Sequence, residues 1–60
     1  MFEKIAALLT ERKMTFAELS RKTGISESIF SNLKNRGGKL SIDNAAKVAN
    51  ALDVEIGDLI

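Results

Sequence analysis

Apolar residues recur at intervals of three and four along most of the chain, the spacing of helices that bury one face. Phe2, Ile5, Ala6 and Leu9 begin this pattern and predict an amphipathic first helix that reaches about Lys13. No sustained alternation of apolar and polar residues, the pattern of a half-buried strand, interrupts it. The pattern therefore predicts an all-α protein.

Two short helices joined by a tight turn are predicted within residues 16–35. Thr15 is followed three residues later by Glu18, the spacing of a capping box at the start of a second helix. Gly24 is the residue that takes a left-handed backbone conformation without a Cβ penalty, as a helix end often requires. Ser26 is a natural N-cap for a third helix over residues 26–34.

The third helix is predicted to turn Ile29, Phe30 and Leu33 toward the core. A loop over residues 35–39 follows, in which two glycines end the helix and turn the chain. Ser41 then caps a fourth helix. Its predicted apolar stripe consists of Ile42, Ala45, Val48, Ala49 and Leu52.

Residues 53–54 break the fourth helical pattern, and residues 55–60 read as a short fifth helix or helical turn. We therefore expect a compact bundle of five short helices. At 60 residues the chain has room for one core, so we expect residues 1–60 to form a single domain.

Helix, short glycine-containing turn and helix together make up the helix-turn-helix unit, whose second helix lies in the major groove of DNA. The charge distribution agrees with this use. Residues 21–39 carry five basic residues against one acidic residue, whereas residues 40–60 carry one against four. The alternative is that the surplus of positive charge in residues 21–39 arises by chance, because the segment is short. Together the two features predict binding to double-stranded DNA.

Several other classes of function are excluded or disfavoured. Without Cys and His, the chain can form neither disulfides nor the usual zinc sites, and we expect no metal and no cofactor. No apolar run approaches a membrane span, and no basic signal-peptide region is present, so we expect a cytoplasmic protein without membrane contact. No paired base and nucleophile points to an enzyme or to a small-molecule substrate.

The order of the predicted helices, with the helix-turn-helix at the second and third, resembles the phage repressor and Cro type of DNA-binding domain (lambda-repressor-like, Xre family). The positions that match this family best are Leu19, Ser20, Gly24, Ile25, Ser26, Leu33, Asn35 and residues 49–54. The resemblance extends from about Ile5 to Leu59. It implies a sequence-specific transcription regulator, a phage or bacterial repressor, that binds paired half-sites as a homodimer.

Base readout is expected from the exposed face and first turns of the third helix. The candidates are Glu27, Ser28, Ser31 and Asn32. Asn bonds bidentately to adenine, Glu accepts from the cytosine amino group, and Ser serves either base. Ile29 would contact a thymine methyl group if exposed, although its spacing favours the core. For Glu27 the alternative is stabilisation of the positive helix end, and for Asn32 it is a solvated side chain.

Phosphate contacts are expected from helix N-termini and from basic or polar side chains that flank the third helix. The candidates are Ser26, Lys34, Asn35, Arg36 and Lys39. Arg21 and Lys22 are set apart, because both can simply solvate the outer face of the second helix.

Some residues depart from the family pattern. Phe16 stands where the family often has a Gln that touches a phosphate, and Phe16 is either partly exposed or packed on the first helix. Glu27 stands where a polar or basic residue is usual. These departures favour the alternative function, a protein-interaction module or antitoxin that kept the fold and binds DNA weakly or not at all. At the C-terminal end of the sequence, we expect Ile56 and Leu59 in the core. Ile60 is expected either in the core or in a dimer surface.

Overall fold

The computed structural model describes residues 1–60 as four α-helices and one short 3-10 helix, without strands. The elements are α1 (Phe2–Glu11), α2 (Phe16–Thr23), α3 (Glu27–Arg36), α4 (Ile42–Leu52) and the 3-10 helix (Ile56–Asp58). The prediction of an all-α fold is confirmed.

The predicted count of five short helices is too high by one, because the last element, expected as a short helix or a helical turn, is a single 3-10 turn. Asp53 ends α4 in a left-handed conformation with φ 56°. In the segment that follows, the N–H groups of Asp58 and Leu59 each donate to the carbonyl three residues earlier, both at 2.9 Å. That bonding pattern defines a 3-10 helix, which is tighter than an α-helix.

Local hydrogen bonds at the start of α2 and α3 are those predicted from the sequence. The Thr15 Oγ1 accepts from the Glu18 N–H at 3.2 Å, and the Thr15 N–H donates to the Glu18 carboxylate at 3.4 Å. The Ser26 Oγ accepts from the Ser28 N–H at 3.2 Å. Each bond satisfies an N–H group that lacks a partner within its helix. The capping box at the start of α2 and the Ser26 N-cap of α3 are therefore confirmed.

Polar side chains tie the turn between α2 and α3 together from inside. The Ser20 hydroxyl donates to the Ile25 carbonyl, and the Thr23 hydroxyl donates to the Leu19 carbonyl at 2.7 Å. The Ile25 N–H in turn donates to the Thr23 Oγ1 at 3.2 Å. Because Ile25 is itself buried, these bonds satisfy backbone groups that water cannot reach. They fix the angle at which α3 leaves α2.

One apolar cluster holds the helices together. Its members are Ile5, Leu9, Leu19, Ile25, Phe30, Leu33, Val48, Ala49, Leu52 and Leu59. Leu59 is fully buried and Ile56 is packed against the cluster, as expected. Ile60, in contrast, is exposed.

An aromatic stack joins the first three helices. The Phe16 ring lies parallel to the Phe2 ring, with centroids 5.2 Å apart and planes 7° apart. The other neighbour of Phe16 is the Phe30 ring, tilted by 47° at a centroid distance of 5.4 Å. Both alternatives for Phe16 are observed, because its ring packs on the first helix and is still partly exposed.

Several predicted positions are corrected by the structure. Ile42 is 80% exposed, because side chains lean toward the helix N-terminus and this first residue of α4 therefore points past the bundle. Ile29 is 37% exposed, since it lies about 100° around the helix from the buried Phe30.

The ends of two helices also differ from the prediction. At the C-terminal end of α3, Asn35 and Arg36 are helical rather than part of a loop. The helix ends at Gly37, whose φ of +74° a residue with a Cβ rarely adopts. The first helix ends at Glu11, two residues early, and Lys13 is left-handed with φ 53°.

Replacing Gly24 by Ala should lower the free energy of unfolding by about 1–2 kcal/mol, the cost of a left-handed conformation for a residue with a Cβ. Gly24 has φ +75°. An added Cβ would meet no heavy atom within 4 Å, so the loss of stability would come from the backbone conformation rather than from a steric clash. Gly57→Ala is the matched control, since its Cβ also meets nothing within 4 Å and its φ lies outside the left-handed region. Chemical denaturation of both variants checks this; equal losses would contradict the role of Gly24.

Candidate nucleic-acid interface

The outer face of α3 is polar along its whole length. Ser28, Ser31, Asn32 and Asn35 are all exposed and are spaced three or four residues apart, so they share one side of the helix. The opposite side carries Phe30 and Leu33, which are 2% and 5% exposed. The buried pair anchors α3 to the core and leaves its polar side facing outward. Three of the four candidate base readers, Ser28, Ser31 and Asn32, thus lie together on an exposed side of the helix.

Glu27 lies to one side of this surface. With Lys34 it borders a cavity of about 240 Å³ between α3 and the aromatic stack. The lining residues are Phe2, Phe16, Glu27, Phe30, Ser31 and Lys34. Two of the candidate base readers, Glu27 and Ser31, therefore border this cavity, and Glu27 is exposed like the other three.

The other side of α3 borders a second cavity, of about 300 Å³, between α3 and the start of α4. Ile29, Asn32 and Arg36 line it from α3, and Lys39, Ser41 and Asn44 line it from the segment that follows. Ser41 and Asn44 carried no signal as candidates beyond the N-cap pattern, in which the Ser41 Oγ accepts from the Asn44 N–H at 3.2 Å. This cavity brings polar and cationic groups next to the outer face of α3.

The candidate phosphate contacts are divided between the two ends of α3. Lys34, Asn35 and Arg36 occupy its last turn, Lys39 follows in the loop, and all four are exposed. Cations at this end also complement the negative end of the helix dipole. Ser26 lies at the opposite end of α3 as its N-cap. The structure therefore brings Arg36 and Lys39 together at one cavity, with Lys34 at the other and Ser26 apart from all three.

The hydroxyls of Ser26 and Ser28 are hydrogen-bonded to each other, with 2.5 Å between the oxygens. One hydroxyl proton forms this bond, so the pair keeps one proton free for donation to an outside acceptor. The Ser26 oxygen already accepts from the Ser28 N–H. A ligand at the start of α3 would thus meet a small, locally ordered hydroxyl pair.

Phe16 removes one polar group from the start of α2. Its partly buried ring lies between Phe2 and Phe30, and a phenylalanine side chain has no group that can donate a hydrogen bond to a phosphate. Arg21 and Lys22 are exposed in the last turn of the same helix.

Two further features of the molecule bear on ligands. No group of three or more His, Cys, Asp or Glu side chains is arranged to hold a metal ion. None of the helices combines the length and the apolar character that crossing a membrane demands.

Comparison with models of protein families matches residues 4–60 to the family described as a Cro/C1-type HTH DNA-binding domain. The matched range includes α2, the turn and α3, together with α4 and the 3-10 helix. No match was found among curated proteins or among solved structures.

Proposed function

The chain belongs to the Cro/C1-type helix-turn-helix DNA-binding family, and we propose that it is a sequence-specific transcription regulator, a repressor of phage or bacterial type. The observation that carries this proposal is the polar outer face of α3, held over buried Phe30 and Leu33 and followed by basic residues. We further propose that residues 1–60 act as one DNA-binding domain, in the cytoplasm.

In this proposal α3 enters the major groove with its polar face toward the base edges. Asn32 forms two hydrogen bonds with an adenine, and Glu27 accepts a hydrogen bond from a cytosine amino group. The free hydroxyl proton of the Ser26–Ser28 pair and the Ser31 hydroxyl reach neighbouring bases. Phosphates are held by the last turn of α3, by Lys39 and by the N-terminal end of α3 at Ser26. The basic residues hold the helix in the groove, and the polar face provides the sequence preference.

Two copies would occupy paired half-sites. Half-sites of this kind lie about 34–36 Å apart, one turn of the duplex. The domain measures 25 × 22 × 19 Å, so one copy fits each half-site without overlapping the next. Exposed Ile60, beside the buried Leu59, supplies apolar surface for contact between copies.

Selection of bound sequences from a pool of randomised duplexes tests this function. The expected result is an enriched motif, repeated with inverted symmetry at a spacing of about 10–10.5 base pairs. A pool that stays random after several rounds, with a folded protein, would contradict sequence-specific binding.

A protein-interaction module or antitoxin is the second candidate function, and two observations favour it. Phe16 stands where the family often has a Gln that touches a phosphate, and Glu27 places a negative charge at the start of α3. Both features weaken attraction to a polyanion. Failure of the selection together with intact folding would favour this candidate.

Glu27→Gln should relax base preference at one position of the selected site and barely change the affinity for shuffled duplex, because Gln keeps the size but loses the charge-assisted bond to cytosine. Titration of a panel of single-base variants of the site measures this. Glu3→Gln is the matched control, an exposed acidic residue in the first turn of α1. Uniformly tighter binding by the Glu27→Gln variant, with the order of sites preserved, would show that Glu27 only repels phosphates.

A further inference from the structure

Ile29 is an exposed apolar side chain on the helix that carries the polar face. It is 37% exposed and lies outside the buried cluster, whereas the other two large apolar residues of α3, Phe30 and Leu33, are 2% and 5% exposed. Leaving this much of an isoleucine in water forgoes part of the free energy of its burial. Packing against the protein accounts for the covered part of Ile29, and the 37% that stays exposed is apolar surface available to a ligand.

The surroundings of Ile29 point toward the duplex. Asn32 follows it by three residues and Arg36 by seven, so all three lie along one side of α3. They line the same cavity as Lys39, and the apolar residues Leu33 and Leu40 line it as well. A duplex whose phosphates met Arg36 and Lys39 and whose adenine met Asn32 would bring base edges over Ile29.

We propose that Ile29 is a specificity residue that recognises thymine through its 5-methyl group, next to the base pair read by Asn32. This inference rests on the proposed function. Among the four bases, thymine alone presents a methyl group in the major groove, and apolar contact with that methyl is how proteins detect it. None of the polar residues on the outer face of α3 can bury a methyl group as an isoleucine can. The preferred site should therefore contain a thymine adjacent to the adenine paired with Asn32.

The test combines removal of the methyl from DNA with removal of the side chain from the protein. Each thymine of the selected duplex is replaced, one at a time, by deoxyuridine, which deletes only the 5-methyl group. At one position this should weaken binding of the unmodified protein about fourfold, the effect expected for loss of one buried methyl. Ile29→Ala should bind the two duplexes equally and should bind the thymine duplex about fourfold or more weakly than the unmodified protein does.

Ile42→Ala is the matched control, because Ile42 is also an exposed isoleucine, 80% accessible, but lies on α4. It should keep the full fourfold sensitivity to deoxyuridine. Ile29→Val, which retains a branched side chain, should keep part of that sensitivity, and thermal unfolding of each variant verifies that it is folded.

Three results would overturn the inference: a selected site without a thymine next to the base pair that Asn32 reads, a deoxyuridine scan without effect at that neighbouring position, or an Ile29→Ala protein that remains as sensitive as the unmodified one. Failure of the proposed function is distinguishable from these. In that case no motif is selected at the outset, whereas failure of the Ile29 inference alone leaves a selected site that still depends on Asn32.

Discussion

Replacing Lys34, Arg36 and Lys39 together by Gln should weaken binding to every duplex by roughly 10²–10³-fold at about 0.1 M salt. Each cation that neutralises a phosphate releases a counterion, so the slope of log K against log salt should fall by about three units in the triple variant and about one unit in each single variant. All three residues are exposed at or just beyond the end of α3. Selected and shuffled duplexes should lose affinity alike, because phosphates carry no sequence information.

A second triple variant distinguishes the effect of where the basic residues lie from the effect of the total charge that is removed. Arg12, Lys13 and Lys47 are likewise one Arg and two Lys, all exposed and outside α3, so their replacement by Gln removes the same charge. This control should keep most of the affinity and nearly the full slope. Equal losses in the two triple variants would show that overall charge, rather than contacts beside α3, governs binding.

Asn32→Ala should cost about 1–3 kcal/mol on the selected duplex, a loss of up to about 150-fold, because one bidentate pair with adenine disappears. Affinity for shuffled duplex should hardly change, since Asn32 is assigned no phosphate. The side chain is exposed, so the substitution should leave the core intact. Fluorescence anisotropy titrations with both duplexes measure the two losses.

Asn35→Ala provides the comparison, because Asn35 is an exposed Asn on the same helix that we assign to a phosphate. The Asn35→Ala variant should bind both duplexes more weakly, and to the same extent. If Asn32→Ala also weakens both equally, Asn32 contacts the DNA backbone and the assignment of base readout to it is wrong.

The helix-turn-helix was predictable from the sequence because its signals are local. Thr15 and Glu18 bond to each other across one turn, Ser26 caps the helix that it begins, and Gly24 takes the one backbone conformation that glycine favours. Each of these depends on residues a few positions apart. The same reasoning placed Phe30 and Leu33 in the core.

Positions that depend on packing between distant segments were not predictable in the same way. Apolar spacing placed Ile29 and Ile42 in the core, but whether a neighbouring helix covers a residue at the edge or end of its own helix depends on the tertiary arrangement. Phe16 was left with two alternatives, and its stacking on Phe2 and Phe30 depends on how the first three helices pack together. The single 3-10 turn at residues 56–58 likewise could not be told from a short α-helix by periodicity.

The candidate site was predictable in part. Helical spacing alone indicates that Ser28, Ser31 and Asn32 share one face. It does not show that Glu27 and Lys34 border a cavity against the aromatic stack, because that depends on how α1 and α2 pack beside α3. Nor does it show that Arg36 and Lys39 line a cavity with Asn32, since the third helix was predicted to end at residue 34, two residues before α3 ends.

The measurement that tests sequence-specific binding most directly is a titration of the unmodified protein against the selected duplex and a shuffled duplex of the same composition. Both are measured at about 50 mM and about 200 mM salt, the range over which counterion release is large. We expect tighter binding to the selected duplex at both concentrations, with affinity for both duplexes falling as salt rises. Equal affinities for the two duplexes, or no binding by a folded protein at the lower salt concentration, would contradict a sequence-specific regulator.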